Sequence, residues 1–302
     1  MSDQTMRVAI SGASGLIGGA LREHLDNAGH KVVTLVRHRD EVGPGDIYWS
    51  GPDREIDTEA LARVDAVVNL GGAPIGKRWT KQHKQQIHDS RVEGTAVIAG
   101  ALAALGDDGP QVLLQGSAVG FYGSRGDQRL TEQATRGEDF LSDVVVAWEA
   151  AAAPAEAAGI RVVYCRTGVI MAEQGDLIDK VELPFKLGVG GVIGDGSQWV
   201  PWISLTDEVR ALEFLLTHDV SGPVNLVAPE CVTNRQLTRA IGEVVNRPTI
   251  IPTPTFAIRL LYGEMGVTLA TASQRVIPEK LEAAGFTWQQ PDVREPLREA
   301  LA

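Results

Sequence analysis

The sequence predicts an α/β protein: an open, doubly wound parallel sheet followed by a small, mainly helical C-terminal subdomain on the substrate side. Three observations predict it. Short β-branched runs recur through the first 230 residues, stretches of helical period separate them, and near residue 170 the rhythm gives way to a glycine-rich stretch and a proline-punctuated tail. Short Val- and Ile-rich runs without polar alternation are what strands covered on both faces require. Strands alternating with helices assemble into helix, sheet and helix layers.

The elements follow in order. "RVAIS" at 7–11 is the first strand, and Ile17, Leu21, Leu25 and Ala28 mark one face of a helix that ends at Gly29. "KVVTLVR" (31–37), "DAVVNLGG" (65–72), "QVLLQGS" (111–117), "RVVYCRTG" (161–168) and "PVNLVAP" (223–229) supply five more strands. "EAAAAPAEAAG" reads as an Ala-rich helix interrupted at Pro154, because proline lacks the N–H and clashes with the preceding turn. "LPFKLGVGGVIGDGSQWVPWI" shows no clear strand and reads as a long functional loop; "LTDEVRALEFLLTHD" resumes as helix. "RPTIIPTPTFAIRLLYGEM" then leads into short helical segments. The chain divides into a nucleotide-binding unit over 1–230, with 170–204 as an inserted substrate-side region, and a small C-terminal domain over 249–297.

At 302 residues and 44% hydrophobic content, the chain can bury a sizeable core. With 28 Lys and Arg against 39 Asp and Glu, the net charge of −11 opposes binding to nucleic acid or to an anionic membrane. The partner expected is a small molecule, and a homodimer stays open. No run approaches the roughly 20 apolar residues that span a bilayer, and "MSDQTMRVAI" lacks the zones of a signal peptide, so a cytoplasmic protein is expected. Cys165 and Cys231 follow no metal or redox spacing and read as buried apolar residues. His83 and His88 stand too far round a helix to share a ligand, so no metal is expected.

Chemistry enters at "SGASGLIGG". Gly12, Gly15 and Gly18 stand where the first strand meets the first helix. Glycines there permit a tight turn, the approach of backbone to a diphosphate and close helix packing, while the helix N-terminus offers free N–H groups. A dinucleotide site follows. NAD sites usually carry an acid about 20 residues further on; here the second strand ends in Arg37 and Arg39, whose forked guanidinium groups suit a 2′-phosphate, so NADP(H) is expected. The alternative is two solvated arginines. Candidate cofactor contacts are Gly12, Ser14, Gly15, Leu16, Ile17, Gly18, Arg37, Arg39, Leu70, Gly71 and Arg166.

"GASGLIG", "NLGGAPIGKRW", "SAVGFYG", "GSQWVPWI" and "GEMGVTLATASQRVIPEKLEAAGF" together resemble the SulA-like epimerase family, atypical members of the extended short-chain dehydrogenase/reductase superfamily. The likeness runs nearly end to end. It implies a Rossmann fold, NADP(H), and an oxidoreductase or epimerase acting on a small hydroxyl- or carbonyl-bearing substrate, sugar nucleotides included. It implies Ser117 as the catalytic serine, and it places the superfamily's tyrosine and lysine at Leu141 and Val145, neither of which can exchange a proton. Phe121 and Ser204 depart further, standing where relatives tend to have tyrosine and histidine.

Two answers stay open: another residue carries the proton, or the protein is a non-catalytic NADPH-responsive module. Tyr122 follows Ser117 in the same loop, and Lys77 follows the "NLGG" strand, so Ser117, Tyr122 and Lys77 form the candidate catalytic set, with Lys77 as the cation that would ionise Tyr122. Packing and surface roles are their plain alternatives. Arg78, Trp199 and Trp202 are candidate substrate contacts, the two indoles covering a sugar or another flat group; the alternative is packing at the subdomain seam. "QGSAVG" is no nucleophile elbow, because Gln115 stands where glycine is needed.

Overall fold

The computed structural model describes residues 5–301. Its chain runs β1 (Arg7–Ser11), α1 (Leu16–Asn27), β2 (Lys31–Val36), β3 (Ile47–Ser50), β4 (Glu55–Ile56), α2 (Thr58–Leu61), β5 (Ala66–Asn69), α3 (Lys81–Leu105) and β6 (Val112–Ala118). It continues through β7 (Arg129–Leu130), α4 (Phe140–Ala150), α5 (Ala153–Ala157), β8 (Arg161–Thr167), β9 (Val169–Met171), α6 (Asp176–Lys186), β10 (Trp199–Val200), β11 (Trp202–Ser204) and α7 (Leu205–Thr217). The last elements are β12 (Gly222–Leu226), β13 (Val232–Thr233), α8 (Asn234–Val244), α9 (Thr255–Thr271), β14 (Arg275–Val276), α10 (Glu279–Ala283) and α11 (Arg294–Leu301).

The main sheet has the order β12-β8-β6-β5-β1-β2-β3-β4, parallel throughout except at the β3–β4 edge. From β1 the chain winds outward to β2 and β3, then returns to β5 and winds the other way. The reversal lies between β1 and β5, and the crevice outside their carboxyl ends is where open α/β sheets take ligands. Side-chain alternation divides the core in two: Val8 and Ile10 join Leu21 and Leu25 of α1 and Leu212 and Leu215 of α7, while Ala9 joins Ile98 and Leu102 of α3. Every residue of β5 is buried, because both faces are covered.

All six predicted strands are present within a residue at each end, apart from the carbonyl ends of "DAVVNLGG" and "PVNLVAP", where pairing stops at Asn69 and Leu226, three residues short. Pro154 interrupts as expected, in the first turn of α5. The reading of 170–204 as a structureless loop is corrected. α6 forms on Ile178 and Phe185, tolerating Pro184 near its end, and two very short strands follow, β10 pairing with β13 and β11 with β9. The C-terminal stretch packs onto the body: β14 pairs with β7, and Val293, Leu297 and Leu301 enter a core with Met171 and Trp202. Cys165 is buried, whereas Cys231 is only half-buried, with its thiol beside the Gln274 carbonyl. Among the described residues no helix is long and apolar enough to cross a membrane.

Candidate functional site

The turn after β1 is built by its glycines. Gly12 adopts φ +72°, in the left-handed region, and a Cβ on it would lie 3.0 Å from the Leu70 carbonyl. The Gly15 amide donates to the Gly12 carbonyl at 2.9 Å, and Gly15 caps α1 in extended conformation with no side chain covering the helix end and no acid in its first turn. Ser14 and Gly15 are exposed, and Leu16, Ile17, Leu70 and Gly71 are half-buried beside them. The free amides of an uncapped helix start, with its partial positive charge, make a cradle for a diphosphate.

Beneath the turn lies a polar network that the sequence did not announce. The Ser11 hydroxyl donates to Asn69 at 2.5 Å and accepts from the Gly71 amide at 3.0 Å. Asn69 donates to Thr95 at 3.0 Å and to Gln115 at 2.9 Å, and the Trp148 indole donates to Thr95 at 3.0 Å. It ties the ends of β1, β5 and β6 to α3 and α4, fixing the floor of the crevice. Its signal was present: Ser11 and Asn69 each close an apolar run, and Gln115 interrupts one.

The two candidate arginines separate. Arg39 pairs with Glu55 and stacks on Tyr48, 4.0 Å from the ring centroid. Arg37 is exposed and makes no ion pair among the described residues, so it is the one left for a 2′-phosphate.

The candidate catalytic set is rearranged. The Ser117 hydroxyl donates to Glu149 at 2.6 Å, and Arg166 grips both oxygens of that carboxylate through Nε and Nη2, each at 2.9 Å. Arg166 also donates to the Tyr122 hydroxyl at 3.0 Å, and Tyr122 donates to Asn225 at 2.6 Å. Ser117 and Tyr122 thus share one network, but the cation beside Tyr122 is Arg166, and Lys77 is exposed on its loop with no part in it. Tyr122 is fully buried and burial raises its pKa against the pull of Arg166, the opposite of what a general base needs. Arg166 is likewise spent inside the fold, stacked 3.5 Å from the Phe121 ring centroid and not free for a cofactor.

The substrate candidates also divide. Trp202 is 1% exposed and donates to the Glu230 carbonyl at 3.0 Å, a core residue and not a cover. Trp199 is half-buried, donates to Asp127 at 2.7 Å and lines a groove of about 540 Å³ with Gly194, Asp195, Ser197, Thr233 and Ser273. Arg78 is exposed and lies along Gly263, where α9 bends. Leu141 and Val145 do form a wall: they face Gly120, where a Cβ would sit 3.4 Å from Leu141 Cβ, and Leu141 packs with Trp79 and Tyr262.

One buried acid lies at the same end of the sheet. Glu208, in the first turn of α7, is fully buried, accepts from Thr167 at 2.8 Å and leaves its other oxygen without a partner, so burial pushes its pKa up to about 8. A raised acid favours the protonated fold, so stability is fullest below the unfolded pKa and falls as pH rises toward 8. Glu208→Gln is expected to flatten that slope and to raise the melting temperature above wild type at pH 8, with little change at pH 4.5; parallel melting curves across that range would refute the assignment.

Residues 8–227 match the NAD dependent epimerase/dehydratase family, and 253–300 match a domain of unknown function, DUF1731. The chain belongs to the NAD dependent epimerase/dehydratase family. It is similar to an epimerase family protein of Mycobacterium bovis, at 42% identity over 292 residues and 96% of each chain. Among solved structures it is similar to human epimerase family protein SDR39U1 (isoform 2), crystallised with NADPH, at 30% identity with TM-score 0.85 over 98% of this chain and 99% of that one. A nucleoside-diphosphate sugar epimerase from Corynebacterium glutamicum aligns at 34% identity and TM-score 0.82, this chain covering 59% of that longer one. The family resemblance read from the motifs, and the fold it implies, are borne out.

Proposed function

We propose that this chain binds NADP(H) and acts as an oxidoreductase or epimerase on a small hydroxyl- or carbonyl-bearing substrate. The observation that carries the reading is the uncapped N-terminus of α1 behind the Gly12–Gly18 turn, with Arg37 standing free at the end of β2. The first fits a diphosphate and the second a 2′-phosphate, and the NADPH in the human relative's crystals supports that choice. Bound nicotinamide supplies a hydride donor or acceptor. Leu141 and Val145 set apolar side chains against Gly120, and the Ser117–Glu149–Arg166–Tyr122 network holds the ends of β6 and β8 in register. The groove beside Trp199, with an indole among hydroxyls and two carboxylates, suits a polyhydroxylated substrate such as a sugar nucleotide.

A second reading, an NADPH-responsive module without turnover, is favoured by one observation: at 141 and 145 no side chain can move a proton. A positioned acid or base typically contributes about 10²- to 10⁴-fold, so turnover through this face is slow unless substrate or water supplies the proton. Single-turnover oxidation of bound NADPH against aldehydes, ketones and keto-sugars separates the two: tight binding with no oxidation favours the module.

The cofactor half has its own test. NADPH is expected to raise the melting temperature more than NADH does, since a ligand at a hundredfold excess over Kd stabilises by about 2.7 kcal/mol. Arg37→Glu is expected to narrow or reverse the difference. Equal shifts with both cofactors, unchanged in the variant, would sink the assignment.

A further inference from the structure

The described residues leave ten large apolar side chains exposed, and eight of them fall on two segments that run side by side. Leu183 and Leu187 stand one turn apart at the end of α6, with Val189 just beyond them. Ile250 and Ile251 precede α9, and Phe256, Leu260 and Leu261 stand on its first two turns. The segments are joined along their length. Arg247 donates to the Lys186 carbonyl at 3.0 Å, the Thr253 amide donates to the Val192 carbonyl at 2.9 Å, and a Cβ on Gly191 would collide with the Ile251 carbonyl. Ile250 is 83% exposed, Leu260 78% and Phe256 74%, so these side chains are bare and not the rim of a core.

The start of α9 has little of its own chain to hold it. Pro254 caps it without a side-chain hydrogen bond, Ile258 is the one buried residue between Thr255 and Tyr262, and the helix bends at Gly263, where φ is +65°. Isolated helices shorter than roughly 12–15 residues are marginal in water, so these two turns need packing that lasts as long as the fold does. A partner that comes and goes does not supply it, whereas another copy of the chain is present wherever the protein is. Charge points the same way. No Asp, Glu, Lys or Arg occurs in 187–194 or in 248–258, so a charged protein partner finds nothing to pair with there. Two copies at −11 each repel, except where an uncharged face lets them meet, and the same net charge opposes an anionic membrane. Size agrees as well. At roughly 100 Å² of apolar surface for each side chain, the eight present on the order of 800 Å², above the few hundred usual for a patch on a monomer and equal to one partner's share of a standard interface.

We propose that this surface is the interface of a homodimer, in which the start of α9 and the end of α6 of one copy pack against the same surface of a second. A two-fold contact of this kind closes at two copies, so it covers the apolar side chains without building a filament. None of these residues belongs to the glycine turn or to the strand ends around it, so the dimer stands whether or not NADP(H) binds.

Sedimentation velocity with light scattering on the full chain, from low micromolar concentration upward, is expected to show a species of twice the 32.3 kDa chain mass. Leu260→Glu and Phe256→Asp are each expected to raise the dimer dissociation constant at least about 30-fold, the size of a hot-spot loss. Val42→Glu, at an exposed apolar residue in the turn after β2, is expected to leave association unchanged. Hydrogen exchange in the wild type needs no substitution and decides the matter if a variant misfolds: amides of 256–262 are expected to exchange more slowly as concentration rises through the dissociation constant, and those of α1 to hold steady. A wild type that stays monomeric overturns the proposal, and sedimentation of that monomer with phosphatidylcholine vesicles, with or without phosphatidylserine, reassigns the face to a lipid surface. A dimer that persists in Leu260→Glu, with exchange in α9 independent of concentration, overturns it by placing the interface elsewhere. Growth past two copies into larger oligomers overturns the two-fold closure.

Discussion

Arg166→Met is expected to cost the fold about 3–5 kcal/mol, the largest stability loss of any single change in the strand-end network. The arginine side chain is 4% exposed and its partner Glu149 12%, so the methionine leaves a carboxylate in a place where water cannot replace two hydrogen bonds of 2.9 Å. The Tyr122 hydroxyl loses its donor and Phe121 its stacked cation in the same step. Ser117 alone, at 2.6 Å, is left to satisfy Glu149. The double variant Arg166→Met with Glu149→Leu removes the stranded charge and is expected to recover much of the loss, because breaking a buried pair costs more than replacing it with apolar groups. Urea denaturation at neutral pH measures both. If the single change costs less than about 1 kcal/mol, as an exposed pair would, the network does not hold the strand ends together.

The same residues show why the fold was more legible than the site. The sheet was legible because β1, β5, β6 and β8 are covered on both faces and so carry runs of apolar residues through most of their length, a pattern that survives in a single sequence. β3, IYWS, lacks the run of Val and Ile that marks β5 at the same length, and β10 and β11 are two and three residues long, too short for any period to show. α6 hid behind Pro184, which sits late enough in the helix to be tolerated.

The glycine turn was legible because its chemistry is backbone chemistry, carried by contiguous residues. Side-chain pairing across the fold was not. Arg166 looked free for a cofactor, Lys77 looked close to Tyr122, and Trp202 looked like its neighbour Trp199; each assignment depended on partners from 17 to 103 residues away, such as Glu149, Asn225 and the Glu230 carbonyl.

Gly18→Ala is expected to abolish detectable NADPH binding, while Gly19→Ala, one residue on, leaves it intact. A Cβ at Gly18 would stand 2.2 Å from the Gly12 carbonyl oxygen and 2.9 Å from Ala13 Cα, both backbone atoms that no rotamer change can move aside. Relief requires α1 to move away from β1, which takes the free amides of its first turn away from the diphosphate; overpacking of this kind also costs about 1–3 kcal/mol in stability. At Gly19 the same methyl group meets only the Ala13 carbonyl at 3.7 Å, an ordinary contact, and alanine favours the helix by up to about 1 kcal/mol. The pair shares composition, helix and solvent, so any difference between them reports the turn geometry. Titration of each variant with NADPH, alongside its ligand-free melting temperature, reads the two effects separately. Equal NADPH affinity in Gly18→Ala and wild type would mean that the close approach of α1 to β1 is not what holds the dinucleotide.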